Sequence, residues 1–272
     1  MTAASAPLAD DVEILDAAAA LRRRLAIVRG VSIVVVLGLW EVLGRQVNPL
    51  FMSYPSRIVL AAIELTQNGV LPAALAESLR TLVIGFAAGG TVGVLLGLLI
   101  GRDRSVDAAL DWLVSALYST PLVALIPLVI LWLGLGFTAK LAIVFLFTLF
   151  PVLINTSIGV KNVSRSLIDV GVAFVANERQ VFTKIILPAS LPYIMAGLRL
   201  GIGRGIIGMV TAEFFTAISG LGGLVVKFGN QFRTDELLVP VLVLMILGVV
   251  LTAVLQRVEA AIAPWKSQQQ SE

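Results

Sequence analysis

From Thr81 to Gly101 the chain carries no charged side chain. About 20 mostly apolar residues are what a helix needs to cross the hydrocarbon core of a bilayer. Five more apolar runs of that kind follow or precede it, at about 25–44, 112–134, 141–160, 191–217 and 237–256. Lipid offers no partner to an open backbone, so only helices and closed barrels span it, and these runs are far too long for barrel strands. The expected fold is therefore an all-α polytopic membrane protein with six transmembrane helices. Composition agrees: 58% of residues are apolar and 14% charged, against about 25% charged in a soluble domain.

Several chemistries are absent. The chain has no cysteine and no histidine, which removes disulfides, Cys/His zinc sites and His-based triads. It has no G-x-x-x-x-G-K-[ST] phosphate loop and no dinucleotide fingerprint, so a transport activity would draw its energy from a partner. A net charge of +3, scattered among apolar runs, argues against nucleic acid.

Lysine and arginine set the expected orientation. With the N-terminus inside, twelve fall on inner segments and six on outer ones, so both termini are expected to be cytoplasmic. Residues 1–24 form the expected N-terminal segment, with a short helix over 10–24, and 257–272 the tail. Asp10, Asp11, Glu13 and Asp16 before Arg22, Arg23 and Arg24 make a poor leader, so the first run is read as a retained span. The segment 161–190 is then cytoplasmic. The outer segment 45–80 has room for a helix between Pro55 and Pro72.

Within the spans, Gly85, Gly89, Gly93, Gly97 and Gly101 recur every four residues, and Gly197, Gly201 and Gly205 repeat the pattern. Small-xxx-small stripes let helix backbones approach closely, inside one subunit or between two. Pro121, Pro127 and Pro151 are expected to kink their helices. Arg199, Arg204 and Glu213 share the fifth run but are too far apart, or on opposite faces, to pair with one another. Each needs a partner on another helix, another subunit or a solute. With Pro121 and Pro127 they are the candidates for a translocation path or gate.

The segment from Lys161 to Pro188 reads as two short amphipathic helices, one with Leu167, Val170, Ala173 and Phe174, the other with Val181, Phe182, Ile185 and Ile186. Periodicity alone leaves an interfacial connector and a docking site for a soluble partner both open. An ion-driven secondary transporter and a non-transporting scaffold also remain open on these grounds, although no internal repeat is visible.

This segment resembles the EAA loop of the permease subunits of binding-protein-dependent ABC importers. Asp169 stands where the family has Glu, followed by Val170 and Gly171; Val175 stands where it has Gly; Ile185, Leu187 and Pro188 match the end. The stretches Thr120–Leu128, Trp132–Gly136, Phe150–Gly159, Pro192–Arg199, Ala212–Phe214 and Ser219–Leu224 resemble the nitrate/sulfonate/taurine/bicarbonate branch in the same order. The resemblance implies a MetI-like permease fold in the bacterial inner membrane. It also implies a second permease subunit (homodimer or heterodimer), two cytoplasmic ABC ATPases and a periplasmic or lipid-anchored binding protein. ATP and Mg would be bound by the ATPase, with no cofactor on this chain and membrane lipids around it. Coupling falls to Asp169, Gly171, Ala173, Phe174, Val175, Ala176, Asn177, Glu178 and Arg179, and the solute is expected to be small and anionic. A β-branched residue at 175 would be strained if that position has a positive φ.

Overall fold

The computed structural model describes residues 9–216 and 219–262, without the side chains of residues 9–19 and Arg22; the expectations for 1–8, Ala217 and 263–272 lie outside the described residues. Among the described residues eleven α-helices follow one another: α1 (Ala9–Gln46), α2 (Pro55–Gln67), α3 (Val70–Arg102), α4 (Arg104–Ser119), α5 (Ile126–Leu133), α6 (Phe137–Lys161), α7 (Arg165–Ala173), α8 (Glu178–Val181), α9 (Leu187–Phe215), α10 (Gly220–Asn230) and α11 (Thr234–Ile262). No strand occurs among the described residues.

The core is a three-helix layer with α6 between α3 and α9. A Cβ placed on Gly85, Gly89, Gly93, Gly97 or Gly101 would lie only 2.6–2.9 Å from α6 atoms, and at Gly89, Gly93 and Gly97 the nearest is a carbonyl oxygen. From the other side Gly197, Gly201, Gly205 and Gly208 approach α6 equally closely, against Asn155, Val152, Thr148 and Phe147. Contact at backbone distance is what drives association in lipid, where apolar burial has no advantage over lipid tails. Hence α6 is the most enclosed helix, with Val144, Val152, Thr148 and Thr156 fully buried.

The layer has two distinct ends, set about 50 Å apart by the 33 residues of α3 at 1.5 Å each. At one end α2, α10 and the first turns of α3 and α11 bury Ile58, Leu65, Leu71, Leu221, Phe228 and Val239 together. At the other lie α7, α8 and Arg102, the last residue of α3. The α1 helix stands apart. Its side chains from Leu25 to Leu39 are exposed, and it is tied near its end by the Trp40 indole N–H on the Ser53 carbonyl (2.9 Å).

Four local expectations are corrected. The helix expected over 10–24 is not separate, because helical backbone runs unbroken from Ala9 through the first apolar run. The 112–134 run is not one kinked helix but two, α4 and α5, bent by 87°. Pro121 sits between them in extended backbone (ψ 97°), and Pro127 occupies the first turn of α5, where its missing N–H removes no hydrogen bond; of these three prolines, only Pro151 is inside a helix. Finally, the second amphipathic helix of the loop does not end at Pro188. A π-helical turn over Phe182–Ile186, with Leu187 N–H on the Phe182 carbonyl, shifts the bonding ring by one residue ahead of the proline and lets α8 run on into α9.

Candidate functional site

The turn after α7 is closed by two hydrogen bonds. Ala176 N–H reaches back to the Gly171 carbonyl at 3.0 Å and Val175 N–H to that of Val172 at 2.8 Å. That pairing terminates a helix by putting the residue between into the left-handed region, and Val175 has φ 56°. A valine there is strained by about 1–2 kcal/mol. Asn177 then starts α8 with reciprocal bonds of 2.9 Å between its amide and Gln180. Gly171 is buried under Ile185, whose Cδ1 would lie 2.6 Å from a Cβ there. The two closures leave Phe174 83% and Val175 90% exposed, an apolar tip at the end of the bundle.

The tip is braced. The Arg102 guanidinium lies 4.9 Å over the Phe182 ring and 3.6 Å from the Glu178 carboxylate, and Lys161 holds Asp107 of α4 at 2.6 Å. Asp103 accepts the Ser105 and Val106 N–H groups at 2.7 and 3.2 Å at the start of α4; these bonds hold its carboxyl below the usual range. Asp169, Ala173 and Arg179 are exposed, and Ala176 is half-buried.

The three intramembrane charges separate into different roles. Arg199 pairs with Glu259 of α11. Glu213 does not face an open passage, contrary to its place among the path candidates: it is wholly enclosed. Its carboxylate accepts the Ser78 hydroxyl at 2.6 Å and the Gly222 N–H at 2.7 Å, while Leu221 N–H bonds to Ser78 Oγ at 2.8 Å. Glu213 thus holds the N-terminus of α10 against α3 and α9. Beside it the buried Lys140 bonds to Glu77 (3.0 Å) and to Ser219. Ser78, Glu77 and Lys140 were not among the expected site residues; the A-E-F and S-G-L-G-G-L stretches were the only signal pointing to them.

Arg204 alone of the three has neither an ion pair nor a side-chain hydrogen bond among the described residues. It opens onto a cleft of about 350 Å³ with Tyr118, Ser119, Thr120, Pro121 and Phe150. Tyr118 and Ser119 also border a second cleft, of about 310 Å³, that holds Ser115, Ser157, Asp111 and Lys161. Pro127 borders neither. The two clefts adjoin at Tyr118 and Ser119 as one trough between α4 and the core helices α6 and α9, lined by hydroxyl groups together with Arg204, Lys161 and Asp111.

A family model described as the inner membrane component of binding-protein-dependent transport systems matches residues 90–268. The chain belongs to this family of permeases. The permease is 30% identical over 232 residues to a formylaminopyrimidine transport permease of Halalkalibacterium halodurans, covering 85% of this chain and 92% of the relative. It is 29% identical over 256 residues to a taurine transport system permease of Escherichia coli, covering 92% and 93%. A putative aliphatic sulfonates transport permease of Bacillus subtilis is 29% identical over 249 residues, 90% of each chain. Among solved structures, the inward-facing MetNI methionine ABC transporter superposes with a TM-score of 0.60 at 18% identity, over 68% of this chain and 93% of that one, which shows a shared fold. This is thus a multi-pass permease subunit of a binding-protein-dependent ABC importer, a subunit type that works with ATPase and binding-protein partners. The matched region takes in the permease's Phe174–Val175 tip, Arg204 and the Glu213 anchor.

Proposed function

We propose that this permease pairs with a second copy of itself in the bacterial inner membrane, both termini cytoplasmic, and passes a small anionic solute along the trough that holds Arg204. Two ABC ATPases dock on the α7–α8 tips, and a binding protein delivers solute at the opposite end. The observation that carries this reading is the tip itself. Two apolar side chains, almost fully exposed and held rigidly by a strained turn and a capped helix, suit a socket on a soluble partner. Arg204 supports the solute class. An unpaired cation within a span belongs to water, a partner or a passing anion, and an arginine fork matches a sulfonate or carboxylate. The sulfonate and taurine relatives support the same class.

The test is ATP-dependent uptake by the reconstituted importer, with Val175→Asp as the variant. Aspartate tolerates a positive φ better than valine, so the change removes apolar contact without adding strain. Uptake of a taurine and alkanesulfonate panel is expected to be lost while the permease still assembles. Full uptake by Val175→Asp would refute the docking role, and ATP-independent uptake driven by an ion gradient would refute the importer reading for this chain.

A further inference from the structure

Phe232 sits in a second copy of the turn that carries Val175. After α10, Arg233 N–H reaches the Phe228 carbonyl at 3.0 Å and Phe232 N–H that of Gly229 at 3.1 Å, the same pair of closures as at Gly171 and Val172. Phe232 accordingly has φ 55°; with Val175 it makes up the full set of non-glycine residues at positive φ among the described residues. Both side chains project, Phe232 being 62% exposed. The two turns lie at opposite ends of the layer: α8 meets Arg102 at the end of α3, whereas α10 meets Ser78 and Leu71 near its start.

We propose that Phe232 is the anchor on which the solute-binding protein docks, as the Val175 tip is the anchor for the ATPase; this rests on the function proposed above. Strain kept at a surface position points to use there, since it contributes nothing to the permease's own core. The ring is rimmed by exposed Asn230, Gln231 and Arg233, an aromatic centre inside a polar border, which is the composition of a protein-binding hot spot. Lipid suits it poorly, because side chains at the membrane–water boundary are typically Trp and Tyr with a polar tip. The turn is also fixed in place. Arg233 pairs with Glu236, Asp235 with Arg57 at 2.8 Å, and the Thr234 hydroxyl bonds to the Pro49 carbonyl at 2.6 Å. That last bond brings the turn beside the loop holding Phe51, itself 75% exposed. A rigid aromatic anchor suits a soluble protein that must dock and leave repeatedly.

The experiment titrates the binding protein into the complete importer in proteoliposomes and reads ATP hydrolysis. Phe232→Ala is expected to raise the half-saturating concentration by roughly tenfold or more, the effect of losing a hot-spot aromatic, with hydrolysis in the absence of binding protein unchanged. Phe232→Trp should restore the wild-type curve. A photoreactive phenylalanine analogue at 232 should crosslink to the binding protein. Crosslinks to lipid alone, or an unchanged titration for Phe232→Ala, would overturn this docking site while leaving the Val175 reading intact. A wild-type importer indifferent to binding protein would overturn this docking site together with the binding-protein delivery proposed above.

Discussion

The Glu213 carboxylate accepts the backbone N–H of Gly222 at 2.7 Å, so a span-borne acid that composition marks for a gate serves instead to fasten the helix after it. Gly220 shows how closely the joint is fitted: its φ is 72°, and a Cβ there would lie 2.1 Å from the Glu213 carboxylate. Removing the acid leaves Ser78 and Gly222 with buried donors and no acceptor. Glu213→Ala should therefore lower stability by about 1–3 kcal/mol, the usual cost of leaving a buried donor unsatisfied. Thermal unfolding of the purified permease in detergent measures it, and a midpoint equal to wild type would mean that α10 is held by other contacts.

The glycine stripe gives a paired prediction. A Cβ at Gly97 would meet the Leu153 carbonyl and Thr156 Cβ, both at 2.6 Å, whereas one at Gly38 meets nothing within 4 Å. Gly97→Ala should lose about 1–3 kcal/mol through overpacking, and Gly38→Ala should be neutral or mildly stabilising. Gly93→Leu, at 2.9 Å from the Leu149 carbonyl, should prevent assembly. Equal stability of Gly97→Ala and Gly38→Ala would place the stripe against lipid.

Arg199 and Arg204 lie five residues apart and should respond differently. Arg199→Gln takes a partner from the nearly buried Glu259 and should reduce stability. Arg204→Gln breaks no ion pair among the described residues, so it should leave unfolding unchanged and reduce uptake of anionic solutes at least severalfold. Loss of assembly in Arg204→Gln would assign it a structural role, and unchanged uptake would remove it from the path.

Replacing Val175 by glycine relieves a left-handed conformation that is unfavourable for an L side chain by about 1–2 kcal/mol. Glycine's greater freedom in the unfolded chain offsets about 0.5–1 kcal/mol of that. Val175→Gly should unfold at a slightly higher temperature while coupling ATP hydrolysis to uptake less efficiently. A variant that is both more stable and fully coupled would show that the side chain has no part in docking.

The all-helical class was legible because charge-free runs of spanning length have no other solution in lipid, and the every-fourth glycines mark their face by period alone. The break at Pro121 was not, since the apolar run continues across it and composition does not register an 87° bend. Roles of the intramembrane charges were hidden for a different reason: Arg199 and Glu259 are 60 residues apart, and Ser78 and Glu213 are 135 apart, so their pairing is a property of packing. At Val175 one departure from the family pattern was enough to pose the question of strain, and φ 56° answers it. Phe232 carried no such marker, because nothing in N-Q-F-R-T-D announces a left-handed phenylalanine.

The chain has no cysteine, so Val175→Cys is a single labelling site. The most direct test of the account is crosslinking from that position in the assembled importer, with the ATPase subunit as the expected product. A short bifunctional reagent should join the two at high yield, and the yield should change between nucleotide-free and ATP-bound states. Failure to form that product in an importer that still takes up solute would contradict the central claim.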